Sequence, residues 1–199
     1  MRLIALIEYA AVIIGVVGVI AGKFFALHKG FEFGVFMIGA GIALGGIEGL
    51  ATRRMAFRTS DDAYEVYAGA PAIIVALMAL LVGAATIAAA YLLNDGLWHS
   101  TVNDLTRRPA PLLIGAGLLV TGIGALMMLN PQARRGWAWM LFIYVPRWLV
   151  GLILVTAGLA GIALGVWEWL DPQKFDRLVS LLPSAGDATR AVRRLYRPG

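Results

Sequence analysis

The chain has 199 residues, of which 60% are hydrophobic and only 15% charged, with a formal net charge of +5 and a mean hydropathy of +0.78. Soluble domains are about 45–50% apolar and about 25% charged. The balance therefore excludes an ordinary soluble domain and a disordered chain, and points to lipid as the solvent. There is no cysteine, which removes disulfides, iron–sulfur clusters, thiolate zinc sites and cysteine nucleophiles from consideration.

The first apolar run, residues 3–22, is flanked by Arg2 and Lys23 and interrupted by Glu8. It is longer than the apolar region of about 7–15 residues in a cleaved signal peptide, so it reads as a retained span. A second, glycine-rich run covers residues 33–51, and a polar stretch over residues 52–67 carries Arg53, Arg54, Arg58, Asp61, Asp62 and Glu65. The third run is residues 70–93, followed by a polar loop over residues 94–108 with Trp98 and His99. The fourth is residues 112–129, opened by Pro109-Ala110-Pro111 and closed by Asn130-Pro131.

Apolar residues then run from Trp137 to Leu170, broken at Pro146-Arg147. At about 1.5 Å per residue this is too long for one upright helix and too short for two spans. The reading is an interfacial or re-entrant stretch, residues 137–145, then a fifth span, residues 148–167, with one long kinked helix as the alternative. Residues 171–199 form a tail. Asp171 suits an N-cap, and Pro172 a first helical residue. Phe175, Leu178, Val179 and Leu182 share a helical face, and Arg190, Arg193, Arg194 and Arg197 follow. The predicted fold is an all-α, polytopic helical bundle of about five spans (residues 1–170) with an amphipathic, basic tail (residues 171–199).

Five spans put the two ends of the chain on opposite sides. Arginine and lysine are nearly balanced across them: Arg2, Arg53, Arg54, Arg58, Arg134, Arg135 and Arg147 against Lys23, Lys29, Arg107, Arg108, Lys174, Arg177 and the tail arginines. The loop over residues 94–108 has the character of an exported segment, which favours a cytoplasmic amino terminus in a bacterial inner membrane. Trp137, Trp139, Tyr144 and Trp148 on one side, and Tyr91, Trp98, Trp167 and Trp169 on the other, form an aromatic belt.

Helices in lipid associate where small residues let backbones approach. The 24 glycines fall in register. In the first span Gly15, Gly18 and Gly22 follow Ala11; in the second Gly41, Gly45 and Gly49 make a doubled G-x-x-x-G; in the fifth Gly151, Gly158 and Gly165 repeat every seven residues, with Gly161 adding G-x-x-x-G. These ten glycines are read as packing surfaces, the partner helix being in this chain or another.

Ionisable groups inside a span are costly and mark function or structure. Glu8 and Glu48 lie at similar depth, because the first two spans are joined by a short connection and run antiparallel. Each is in register with its helix's small-residue face, and Arg147 opens the fifth span on the same side. The three form a candidate buried charge network. Either the glutamates hold a proton or cation between them, or each pairs with Arg147 or Arg53 and locks the helices. Glu168, between Trp167 and Trp169, reads as an interfacial anchor.

His28 and His99 both fall in connections, so no span offers a haem-ligating histidine, and two ligands alone make a poor metal site. No H-E-x-x-H, phosphate-binding loop, G-x-S-x-G or dinucleotide fingerprint occurs in a suitable setting. Cofactors, metal and catalytic residues are accordingly expected to be none. The scattered arginines do not suit nucleic acid, whereas the positive charge suits lipid head groups, anionic ones included. The sequence-based expectation is a non-catalytic accessory subunit, with other membrane subunits and lipids as partners. The alternative is a small homo-oligomeric transporter or channel using Glu8 and Glu48.

Overall fold

The computed structural model describes residues 2–25, 27, 29–58, 64–129 and 140–175. The chain is an all-α membrane protein. Among the described residues, five helices are long and apolar enough to cross a bilayer. They are α1 (Arg2–Phe24), α2 (Gly30–Thr52), α3 (Ala70–Asn94), α5 (Ala110–Leu129) and α6 (Val145–Leu170), with a short α4 (Trp98–Arg107) between α3 and α5.

Local chemistry sets the breaks. α2 is bracketed by Lys29 (φ 60°) and Arg53 (φ 52°), both in the left-handed conformation that turns the chain out of a helix. Gly69 (φ 70°) precedes α3, whose first turn holds Pro71. Pro146 stands in the first turn of α6, where its fixed φ suits a helix.

Two polar connections, the stretch over residues 52–67 and the loop over residues 94–108, carry regular structure of their own. Residues 52–67 contain an antiparallel hairpin, β1 (Arg54–Arg58) with β2 (Tyr64–Ala68), in the register Met55↔Tyr67 and Phe57↔Glu65. Residues 94–108 contain the amphipathic α4. The fifth span is also longer than residues 148–167. Met140–Tyr144 forms a π-helical turn that runs directly into Val145–Leu170, so proline marks a helix start and not a gap. Trp137 and Trp139 lie outside the described residues.

The helices pack in chain order: α1 on α2, α2 on α3, α3 on α5, α5 on α6. Among the described residues α1 touches neither α3 nor α6, and α2 does not touch α5. The bundle is a row with α1 and α6 at its edges. Its core is small: among the described residues the buried apolar ones are Ala11, Ala72, Ala76, Ala90, Ala110 and Phe175, and no large side chain is fully buried. Backbone approach replaces side-chain interdigitation, as expected where lipid removes the hydrophobic drive between helices.

At the end of α6, the Lys174 backbone N–H donates to Asp171 Oδ1 (3.2 Å) and Lys174 Nζ lies 2.7 Å from Asp171 Oδ2. Asp171 therefore caps a new helical turn, as its position before Pro172 suggests. That contact holds the exposed Lys174 ammonium above the usual lysine range. The rest of the tail, with Leu178, Val179, Leu182 and the distal arginines, lies outside the described residues.

Candidate functional site

Three of the four seams in the row are close backbone contacts made by glycine. Between α1 and α2, a Cβ on Gly15 would lie 2.8 Å from the Gly34 carbonyl oxygen, and one on Gly18 3.0 Å from Gly34 Cα. Gly22 approaches the backbone of Gly30 and Phe31. Between α2 and α3, Gly39 meets Ile87 and Gly83, and Gly46 meets Ala76 and Leu80. Between α5 and α6, Gly117 opposes Gly158 and Gly124 opposes Gly151, while Gly165 seats Ile114.

Most of the glycines singled out in the sequence thus lie in close helix contacts, and the partner helix belongs to the same chain. Two behave differently from the register expectation. Gly49 leaves the face of Gly41 and Gly45: it meets Met55 of the hairpin and Ala76 of α3. An α-helix drifts about 40° every four residues, so a doubled G-x-x-x-G spreads over two neighbours. Gly161 is peripheral, its nearest atoms in α5 being 3.6–3.7 Å from a Cβ built on it. Gly39, Gly46, Gly83, Gly117 and Gly124 were missed. The pairs 39/46 and 117/124 repeat every seven residues, the same signal that flagged Gly151, Gly158 and Gly165.

The candidate polar site is a corner between α1 and α2. The Glu8 carboxylate lies against Gly45: a Cβ there would stand 2.8 Å from Glu8 Cδ. Gly41, one turn on, faces Val12 and the Glu8 carbonyl oxygen. Glu48 is close enough for its charge to act on Glu8. Both side chains are partly exposed. The glycine at position 45 creates the room in which a carboxylate fits between two helices.

The structure brings Glu8 and Glu48 together and leaves Arg147 elsewhere. Arg147 begins α6, and α6 makes no contact with α1 or α2 among the described residues. Neither glutamate is ion-paired to Arg147 or Arg53; the one ion pair found among the described residues joins Lys174 to Asp171. Arg53 is exposed at the end of α2. Thr52 Oγ1 donates to the Glu48 carbonyl oxygen (2.8 Å), tying down the last turn without using the carboxylate. Glu168, read from the sequence as an interfacial anchor, is buried, 6% exposed.

The loosest seam is between α3 and α5. Gly122 receives Met78, and beside them opens an apolar groove of about 560 Å³ lined by Leu77, Leu81, Leu118 and Ala125. Among the described residues no group of three or more His, Asp or Glu side chains is arranged to hold a metal ion. Comparisons with protein-family models, with curated proteins and with solved structures find no match to this chain.

Proposed function

We propose that the protein is a non-catalytic structural subunit of a larger membrane assembly. The proposed setting is a bacterial inner membrane with the amino terminus in the cytoplasm, and the proposed partners are other membrane subunits and lipids. The observation that carries this reading is the open row. Each glycine seam is filled by the chain's own neighbouring helix, and the two edge helices keep long apolar outer faces: Leu6, Ile13 and Val17 on α1, Leu149, Ile153 and Leu159 on α6. Glycine builds the subunit, and the edges are where a partner helix would lie. Purification at native abundance in mild detergent, followed by intact-mass measurement, tests this. A stable complex with other membrane proteins is expected, together with no ion leak when the isolated chain is placed in liposomes.

A second reading rests on the Glu8–Gly45–Glu48 corner. Paired carboxylates between helices suit a proton or cation, and a small oligomeric transporter would use them. It calls for a homo-oligomer and for a liposome leak that Glu48→Gln abolishes. The corner sits near the end of α2, where water reaches it, and the row offers no enclosed route past it. The structural reading is therefore preferred.

A further inference from the structure

At the opposite end of α2 from the acidic corner, a cavity of about 420 Å³ opens between α2 and α3. Its lining is ordered in depth. Lys29 and Glu32 on the α2 side, and Tyr91 and Asn94 on the α3 side, form the rim. One helical turn deeper, four residues along in each case, lie Phe33, Phe36, Ile87 and Ala90. Residues four apart share a helix face, so both walls change from polar to apolar over a single turn. α2 starts and α3 ends here, which puts the rim at the edge of the two apolar spans and the floor within them.

The rim is chemically specific. It carries one cation and one carboxylate, Lys29 and Glu32, neither of them in an ion pair among the described residues. Asn94 Nδ2 donates to Asp95 Oδ1 (3.0 Å), so a second carboxylate adjoins the rim. That bond orients the Asn94 amide and leaves its carbonyl oxygen as an acceptor. Phe33 and Phe36 remain exposed along the floor, 53% and 44%.

We propose that this cavity binds one zwitterionic phospholipid whose head group joins a phosphate to a primary ammonium. Lys29 takes the phosphate, since an ammonium is a strong donor to phosphate oxygens. Glu32 and the Asn94 carbonyl accept from the lipid ammonium, whose three N–H donors need acceptors and not an aromatic cage. The acyl chain runs down Phe33, Phe36 and Ile87. A rim with two carboxylates about one ammonium disfavours an anionic head group, and a quaternary ammonium has no N–H to give Glu32. The site is independent of the subunit reading: it works equally in a complex or in a lone chain.

The test is native mass spectrometry of the full chain in detergent, offered equimolar ethanolamine, choline and glycerol phospholipids with identical acyl chains. Retention of the ethanolamine lipid about fivefold above the other two is expected, the ratio that a well-placed exposed charge contact contributes. Glu32→Gln should bring it down to the choline level, whereas Lys29→Gln, which removes the phosphate contact common to all three lipids, should lower retention of all three, with helix content unchanged by circular dichroism in both variants. Soluble phosphoethanolamine should compete poorly, because it lacks the chain. Equal retention of the three lipids, preference for the glycerol or choline lipid, indifference to both substitutions, or full competition by the soluble head group would each overturn the proposal. The comparison among lipids on the unmodified chain stands even if a variant fails to fold.

Discussion

Gly117 and Gly158 exclude one another's side chains: a Cβ built on either would lie 2.7 Å from the other's carbonyl oxygen. Two turns toward the other end of the seam, Gly124 and Gly151 repeat the arrangement at 2.6 and 2.8 Å. These reciprocal contacts press α5 and α6 together backbone to backbone, and they explain why a seven-residue glycine period suits both helices. A period of seven keeps one face toward its neighbour along a shallow left-handed crossing.

Alanine at these positions should therefore be costly although it is the best helix former. For Gly117→Ala or Gly158→Ala we expect a loss of about 1–3 kcal/mol, the usual cost of overpacking a filled contact. Gly115→Ala on the same helix is the control. A Cβ there meets nothing within 4 Å, so this variant should gain up to about 1 kcal/mol from helix propensity. Unfolding in mixed micelles, followed by circular dichroism, reads both signs.

Thr121 lies in the same seam, and its buried Oγ1 has no hydrogen-bond partner among the described residues. A Cβ on Gly158 would collide with that oxygen. Replacing a buried, unbonded hydroxyl with a methyl of the same shape removes a desolvation cost of about 1–3 kcal/mol. Thr121→Val should raise stability in the same assay, and a clear fall would show that the hydroxyl is bonded after all.

Gly34 and Gly45 both face α1 but should respond differently. A Cβ on Gly34 runs into the backbone of Gly15, Gly18 and Val19, which cannot step aside. On Gly45 it meets the end of the Glu8 side chain, which can rotate. Gly34→Ala should thus part α1 from α2. Gly45→Ala should cost only about 1 kcal/mol, the scale of one displaced rotamer, while moving the Glu8 carboxylate away from Glu48. Spin labels on the outer faces of α1 and α2 would register the first change and not the second.

Arg53 closes α2 at φ 52° with no side-chain ion pair among the described residues to compensate. Glycine adopts this conformation without the Cβ penalty. Arg53→Gly should leave the fold intact and raise stability by about 0.5–1 kcal/mol. Unfolding midpoints of the variant and the parent chain measure it.

The spans were legible because hydropathy summed over a whole helix outweighs local noise, and the α1, α2 and α6 glycines because their spacing matched helical geometry. What escaped was lateral order. Antiparallel spans put Glu8 level with Glu48, yet nothing in one sequence says that three helices stand between α1 and α6, so the reading groups Arg147 with them. The hairpin escaped for a different reason. Its alternation, Met55 and Phe57 in one strand and Tyr64 and Val66 in the other, is short and interrupted by charge, and a membrane-edge strand pair has no long apolar signature. α4 has no side-chain cap at Leu97 to announce it.

The central claim is that the glycine seams close within a single chain, leaving α1 and α6 as edges. Paired cysteines at Met127 and Gly151 test it directly: a Cβ on Gly151 lies 3.2 Å from Met127 Cβ, near the separation of about 3.5–4.5 Å that a disulfide takes, and the cost of about 1–3 kcal/mol for crowding the Gly124 carbonyl oxygen is of the size of the stabilisation of about 2–4 kcal/mol that the bond returns. The natural chain has no cysteine to interfere. Oxidation in native membranes should give a crosslinked species of monomer mass, with α5 and α6 peptides joined; a ladder of dimers and higher species, formed by exchange between chains, would contradict the account.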